Sequence, residues 1–406
     1  MRKDIEDRSV LTVLRRALPG QISGAAGGLS ERAGLNEFAA AVGGVGNLFT
    51  LFGSALRREF GLTIYPNELH GGSSLAEFSA FLESELRGRA CVSSEGERFA
   101  ETGWRWCAVP EAPVERQAGR AVFILSTARS GSTLLRVMLA GHPALFAPPE
   151  LYLLQFESMG SRRDLLAAHG YDWMRLGALT AIQHLDDDAD IGRAQAELER
   201  LETGDRPVAE LYQLLEQRAC GRLLVDKTPL YSAYEGWMRR AEALFVRPMY
   251  VHLVRHPYAM MESFVRLRFH RLFRDHFPAF DPDPWVYAEQ AWTISNQNIE
   301  RFLQRVDADR QVTLRCEDLQ AAPEEACRRV FGFLGVSLEP DVLDLYAPGR
   351  MTRFGESDQF TPGDPDFLRR RRVESAAAEA WKKVRLPRGL GPEGCALAAR
   401  YEYEVA

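Results

Sequence analysis

The chain has 406 residues, 46% of them hydrophobic and 26% charged, with a formal net charge of −6. That length accommodates one large domain and a smaller one, and the composition is that of a globular protein with no low-complexity tract. The acidic balance speaks against non-specific binding to nucleic acid, and no apolar run approaches the roughly 20 residues of a membrane helix. Six cysteines (Cys91, Cys107, Cys220, Cys316, Cys327 and Cys395) show neither a CxxC pair nor a zinc spacing. Buried free thiols in a reducing compartment are therefore expected, and the N-terminus lacks a secretory pattern, so the expected location is cytoplasmic.

Residues 1–90 read as a small helical domain. Val10, Leu11, Val13, Leu14 and Leu18 begin an amphipathic segment that Pro19-Gly20 stops, and 21–29 reads as a loop. A second helix runs from about Leu48 to Gly61, a natural C-terminal stop. A third begins at Ser74, three residues before Glu77, the spacing of a capping box. The stretch SALRREFGLTIYPNELHGGSSLAEFSAFLESEL at 54–86 resembles the last helices of an acyl carrier protein. That resemblance implies a Ser at the start of the second helix to hold phosphopantetheine, but 44–48 reads GVGNL, with no hydroxyl. The expectation is a carrier-like domain that cannot carry, with a generic helical domain as the alternative. Residues 91–119, with Trp104, Trp106, Pro110 and Pro113, read as a linker to the main domain at 120–406.

The main domain opens on AVFILSTARSGSTLL at 121–135. Five apolar residues predict a buried parallel strand, and Leu134, Leu135, Met138 and Leu139 follow at helical spacing. Between them lies a turn with one glycine, Gly131, and the hydroxyl residues Ser130, Ser132 and Thr133. The first N–H groups of a helix lack internal partners and face whatever sits over such a turn. Arg129 adds a permanent charge with a planar fork of donors, so a phosphate-like ligand is expected. A nucleotide-triphosphate loop would read GxxxxGK[ST], and no Lys occurs in 121–135.

Next come Gly141-His142-Pro143 and Ala147-Pro148-Pro149-Glu150, which predict Glu150 at the start of a helix near the carboxyl edge of the sheet. Residues 151–205 read as a helical insertion, and its acidic run Asp186-Asp187-Asp188 matches no metal loop. Arg222 to Val225 reads as a strand, after which Pro229 leaves Lys227 at the strand's tip. Met249 to Val254 is another strand, closed by Arg255, with His256-Pro257 opening a helix that carries Ser263. The same helix is expected to continue through Arg266, Arg268 and His270, with Arg266 and His270 on one face; a solvated basic face is the plainer reading. A long helix is expected over 285–306 and a strand over 312–319, with Glu317 and Asp318 structural. The late basic stretch, 350–383, includes Arg369 to Arg372.

Two of these motifs, RSGSTLL and the pair Arg255 and Ser263 eight residues apart, resemble the donor-binding motifs of sulfotransferases that use 3′-phosphoadenosine 5′-phosphosulfate (PAPS). LLVDKTP, YVHLVRHPYAMMESFVRLR and AEQAW look most like the sulfotransferase domains embedded in polyketide synthases, of the curacin and olefin synthase type. The resemblance implies an α/β fold with a P-loop-like parallel sheet flanked by helices, and transfer of a sulfuryl group to a hydroxyl of a polyketide-type or other natural-product acceptor. A carrier-bound β-hydroxyacyl chain is one such acceptor, polyketide synthase modules are the implied partners, and 3′-phosphoadenosine 5′-phosphate (PAP) is the product. It implies that Arg129, Ser130, Gly131, Ser132 and Thr133 hold the 5′-phosphosulfate, and that Arg255 and Ser263 hold the 3′-phosphate. It also implies that the late basic stretch closes over the donor, and, through the tyrosylprotein sulfotransferases, that Glu150 is the base. Lys227 would neutralise charge on the bridging oxygen, His270 is the next choice as base, and no metal is required. A P-loop kinase and a non-catalytic scaffold are the alternatives. Coexpression with a phosphopantetheinyl transferase is expected to leave the protein's mass unchanged; a gain of the arm would show that 44–48 does not stand in for a carrier's attachment site.

Overall fold

The apolar run at 121–125 forms β1 (Ala121–Leu125), the middle of a five-stranded parallel sheet in the order β2-β3-β1-β4-β5. Its neighbours are β2 (Leu145–Phe146), β3 (Leu223–Asp226), β4 (Met249–Val254) and β5 (Gln311–Arg315). The protein is described here from a computed structural model covering residues 9–23, 29–62, 64–69, 73–86, 118–186, 190–272, 283–345 and 375–405. Alternate residues of β1 feed two cores, because successive side chains in a strand point to opposite faces. Ala121, Phe123 and Leu125 join Tyr250, Trp237 and Trp292, whereas Val122 and Ile124 join Val251, Leu253 and Leu314. The chain leaves β1 for the β2–β3 side and returns across it to β4. The carboxyl end of β1 therefore lies where the strand order reverses, the place where open α/β sheets bind ligands.

The N-terminal region forms helices α1 (Val10–Ala17), α2 (Gly20–Ser23), α3 (Leu35–Ala41), α4 (Val45–Phe60) and α5 (Leu75–Leu86). They enclose a core of their own, including Leu14, Phe38, Leu48, Phe52, Leu56 and Leu82. The capping box forms as expected: Glu77 N–H donates to Ser74 Oγ at 3.2 Å, and Ser74 N–H donates to Glu77 Oε2 at 2.8 Å. Gly61 ends α4 in the left-handed conformation, φ 66°. Helix α3 was not expected; the Glu37 carboxylate supports it by accepting from Gly34 N–H at 2.9 Å.

Around the sheet lie α6 (Ser132–Leu139), then α7 (Met159–Ala168), α8 (Arg175–His184) and α9 (Ile191–Thr203) of the insertion, and α10 (Val208–Arg218) and α11 (Glu235–Leu244). They are followed by α12 (Pro257–Arg266), α13 (Phe269–Leu272), α14 (Pro284–Leu303), α15 (Cys316–Ala321), α16 (Pro323–Leu334) and α17 (Pro392–Arg400). Two expectations need correction. The strand expected over 312–319 ends at Arg315, and Glu317 lies on α15, where it accepts from His256 N–H at 2.9 Å and Tyr403 OH at 2.8 Å. The helix expected to run through His270 stops at Arg266, because Arg268 adopts a left-handed φ of 56°. Arg266 and His270 therefore share no helix face, and Arg266 pairs with Glu262 at 2.9 Å instead. Of the four described cysteines, all free, Cys316 and Cys327 are buried as expected but Cys220 is exposed. Among the described residues no helix is long and apolar enough to cross a membrane.

The tip of β3 ties the segment carrying Glu150 to the sheet. Asp226 is fully buried and accepts from Tyr212 OH at 2.7 Å, Tyr231 OH at 2.9 Å and Thr228 Oγ1 at 2.9 Å. Thr228 Oγ1 in turn accepts from Leu151 N–H at 3.2 Å, and Tyr231 OH from Leu153 N–H at 3.0 Å. Burial pushes the Asp226 carboxyl up to about 6, against the opposing pull of the three hydroxyls and Lys227. The folded protein thus holds this proton more tightly than the unfolded chain, whose carboxyl titrates near 3.8. Stability from this group is complete below that value and is lost as pH rises through about 6. Across that window the wild type is expected to lose about 3 kcal/mol at most relative to Asp226→Asn. Denaturant unfolding of both proteins at stepped pH checks this, and parallel profiles would refute it.

Candidate active site

The phosphate turn is built from the sheet outward. After β1 the chain passes Ser126, whose carbonyl accepts from Ser232 Oγ at 3.0 Å, and Thr127, whose hydroxyl accepts from Asn296 Nδ2 at 3.3 Å. It then turns through two left-handed residues, Arg129 (φ 68°) and Gly131 (φ 83°), into α6. Position 131 tolerates only glycine: the φ disfavours a side chain, and a Cβ there would meet Cys316 Sγ at 2.5 Å. Having no side chain, Gly131 leaves the first N–H groups of α6 without a side-chain cap. Ser130 and Ser132 are buried in this turn.

Arg129, Arg255 and Ser263 come together. Arg129 Nε donates to Ser263 Oγ at 3.0 Å, and Arg255 Nη1 donates to the Arg129 carbonyl at 2.7 Å. The Arg129 guanidinium also lies over the Phe269 ring, 5.1 Å from its centroid. Arg255 itself is steadied through its carbonyl, which accepts from Trp292 Nε1 at 3.0 Å. The two donor motifs therefore share one cationic corner: the Arg129 side chain is turned toward Ser263.

Lys227 and Glu150 form the second group. They make a buried ion pair through Lys227 Nζ and Glu150 Oε1, with Lys227 only 1% and Glu150 5% exposed. Charges so deeply buried persist only when paired. Tyr152 OH donates to the other carboxylate oxygen, Oε2, at 3.0 Å. Lys227 Nζ also reaches Thr133 Oγ1 at 3.5 Å, which connects the pair to the phosphate turn. Burial is the main cause lowering the Lys227 ammonium below its ordinary value; the Glu150 carboxylate opposes the shift and Arg136 adds to it. Arg136, buried on α6, donates to the Ala147 carbonyl at 2.9 Å and is itself held down to about 10 by burial.

Glu150 does not begin a helix, as the two prolines before it suggested. It sits in an irregular stretch, and the next helix, α7, starts at Met159. A helix dipole therefore does not account for it. The insertion clamps this stretch instead. Arg162 on α7 donates to the carbonyls of Tyr152 and Leu151, each at 3.1 Å, and of Met174 at 2.8 Å. Gly177 on α8 packs so closely on Glu150 that a Cβ there would overlap its carbonyl oxygen. Tyr152 is held at φ 51°, a costly conformation for an aromatic residue that such over-determined surroundings can maintain.

His270 is buried on α13 with Nδ1 unpartnered. Burial, Arg271 and Arg268 press its imidazolium down to about 3, so it is neutral. Residues 350–374, including Arg369 to Arg372, lie outside the described residues, as do Trp104 and Trp106. Sequence reasoning missed Tyr152 and Arg136. The available signals were an arginine inside the apolar run 134–139 and an aromatic residue two positions after the acid. Among the described residues, no three His, Cys, Asp or Glu side chains gather as a metal site.

Residues 121–340 match the sulfotransferase family. A sulfotransferase domain from the curacin biosynthetic pathway is 37% identical, covering 72% of this chain and 100% of that one, with a TM-score of 0.66. A sulfotransferase domain from the Synechococcus PCC 7002 olefin synthase is 36% identical, covering 73% of this chain and 98% of that one, with a TM-score of 0.64. No curated protein matches the chain. With a family match over more than half its length and two relatives at 37% and 36% identity, the chain belongs to the sulfotransferase family.

Proposed function

We propose that this sulfotransferase takes its sulfuryl group from PAPS and transfers it to a hydroxyl of a polyketide-type acceptor, with a carrier-bound β-hydroxyacyl chain the favoured form. The observation that carries the reading is the buried Lys227–Glu150 pair, in reach of Thr133 at the mouth of the phosphate turn. The turn fits the donor in its chemistry: it offers backbone N–H groups, three hydroxyls and no lysine of the triphosphate-loop kind. The cationic corner of Arg129, Arg255 and Ser263 suits a second phosphate. The likeness to the curacin-pathway and olefin synthase domains supports the acceptor class.

The donor supplies the sulfuryl group: a sulfur–oxygen bond to the acceptor forms as the bond to phosphate breaks, and the electron pair stays on phosphate. Glu150 takes the acceptor hydroxyl's proton. In the ligand-free site Oε1 is engaged by Lys227 and Oε2 accepts from Tyr152 OH, so both carboxylate oxygens already have partners. When Lys227 turns to the bridging oxygen it neutralises charge there and uncovers Oε1 at the same moment. Access to the carboxylate is thereby coupled to donor binding, and Tyr152 and the Arg162 clamp keep it aimed. Arg255 and Ser263 hold the far end of the donor. Neutral His270 is the second candidate base, but the burial and arginines that depress it also oppose its taking a proton.

Glu150→Gln is expected to lower turnover about 100-fold or more with PAP affinity nearly unchanged, and Lys227→Ala to do the same. Arg255→Ala is expected to weaken PAP binding more than turnover. Calorimetry with PAP and ATP, and turnover of labelled donor over a panel of hydroxyacyl carriers and free hydroxylated compounds, check these outcomes. Near-wild-type turnover of Glu150→Gln would pass the base role to His270, and preference for ATP would favour a kinase.

A further inference from the structure

We propose that the N-terminal helical unit is a working part of the donor site, in which Tyr65 and Glu68 are positioning residues that hold Arg129 through the turn at Leu267-Arg268. The inference rests on the reading that Arg129 binds the donor. Among the described residues, the unit meets the larger domain at the turn between α12 and α13. Tyr65 OH donates to the Leu267 carbonyl at 2.5 Å, and Glu68 pairs with Arg268 at 2.7 Å, both charges 8% exposed. Glu68 is itself anchored, since its other oxygen accepts from Tyr65 N–H at 2.8 Å. The Tyr65 ring meets Phe269 edge-on, with centroids 5.8 Å apart, and Arg271 lies over Phe81 of α5 at 4.9 Å.

What makes this contact more than packing is the position of the clamped turn. Leu267 and Arg268 join α12 to α13, and the two residues that support the Arg129 side chain flank them. Ser263, in the last turns of α12, accepts from Arg129 Nε, and Phe269, the first residue of α13, lies beneath its guanidinium. The angle between the two helices sets both supports. It depends on Arg268 staying left-handed, which a non-glycine residue does only against a cost. Glu68 holds that residue by its side chain and Tyr65 holds the preceding carbonyl. The Arg129 and Arg268 charges act directly on the Tyr65 phenol, opposing the upward push of burial, so the hydroxyl lies within their field.

Full-length protein carrying Tyr65→Phe or Glu68→Gln tests the inference against Ser74→Ala, which weakens the α5 capping box without touching the clamp. Hydrogen exchange without ligand is expected to quicken over 127–133 and 263–272 in the first two variants, and to stay unchanged there in Ser74→Ala. PAP affinity is expected to fall about threefold to tenfold in Tyr65→Phe and Glu68→Gln, and these losses to vanish in an Arg129→Ala background. Wild-type exchange over 127–133 in both clamp variants would overturn the inference, as would PAP losses that persist undiminished without Arg129. A wild-type protein that binds no PAP would overturn the donor reading instead, while the exchange result still decides the clamp.

Discussion

A lysine and a glutamate buried against each other constrain most of what surrounds them. Neither Lys227 nor Glu150 has water to solvate it, so each requires the other, and each must be delivered by a rigid element. Lys227 directly follows β3, an inner strand of the sheet paired with β1. Glu150 comes from an irregular stretch with no secondary structure to hold it. That asymmetry explains the density of bonds around 147–153: Arg136 on the Ala147 carbonyl, Thr228 and Tyr231 on the Leu151 and Leu153 amides, and Arg162 on the Leu151 and Tyr152 carbonyls. Buried loop backbone has to find partners, and here those partners also aim a carboxylate.

The alternation of side chains along Asp226-Lys227-Thr228 organises this arrangement. Asp226 and Thr228 face the core and tie down the Glu150 stretch, while Lys227 between them reaches the phosphate turn. A single extended tripeptide thus supplies both the buried ammonium and the fastening of its counter-ion. The insertion has a matching role. Arg162 and Gly177 place its helices against the stretch that carries the carboxylate.

What could be read from the sequence followed the range of the signal. The strand-turn-helix at 121–139, the strand ends at Lys227 and Arg255, and Ser263 two turns into its helix are local patterns, and each lies in the element expected. The capping box at Ser74 and Glu77 is equally local. The failures depended on tertiary context. Periodicity carried α12 through His270, because no residue between 265 and 271 is a helix breaker; the break at Arg268 comes with a partner 200 positions away. Two prolines before Glu150 looked like a helix start, but the bonds that shape that stretch come from β3, α6, α7 and the residues after β3. Tyr152 escaped notice for the same reason: its left-handed backbone is imposed from outside.

A site for a polyanionic ligand faces a difficulty while it is empty: its cations repel one another. Here Arg129 and Arg255 meet at one corner, with Arg268 close behind. Each is restrained by something other than ligand: Arg129 by Ser263 and the face of Phe269, Arg255 by a backbone carbonyl, and Arg268 by Glu68. The Ser263 hydroxyl, the Phe269 ring and the Arg129 carbonyl are neutral groups, which position a guanidinium without cancelling its charge. The Glu68 carboxylate falls on Arg268, at the left-handed turn between α12 and α13. Restraints of this kind hold the cations of such a corner in place before an anion arrives. Lys227 is restrained by a carboxylate, Glu150, and in the proposed reaction the donor's bridging oxygen takes that partner's place.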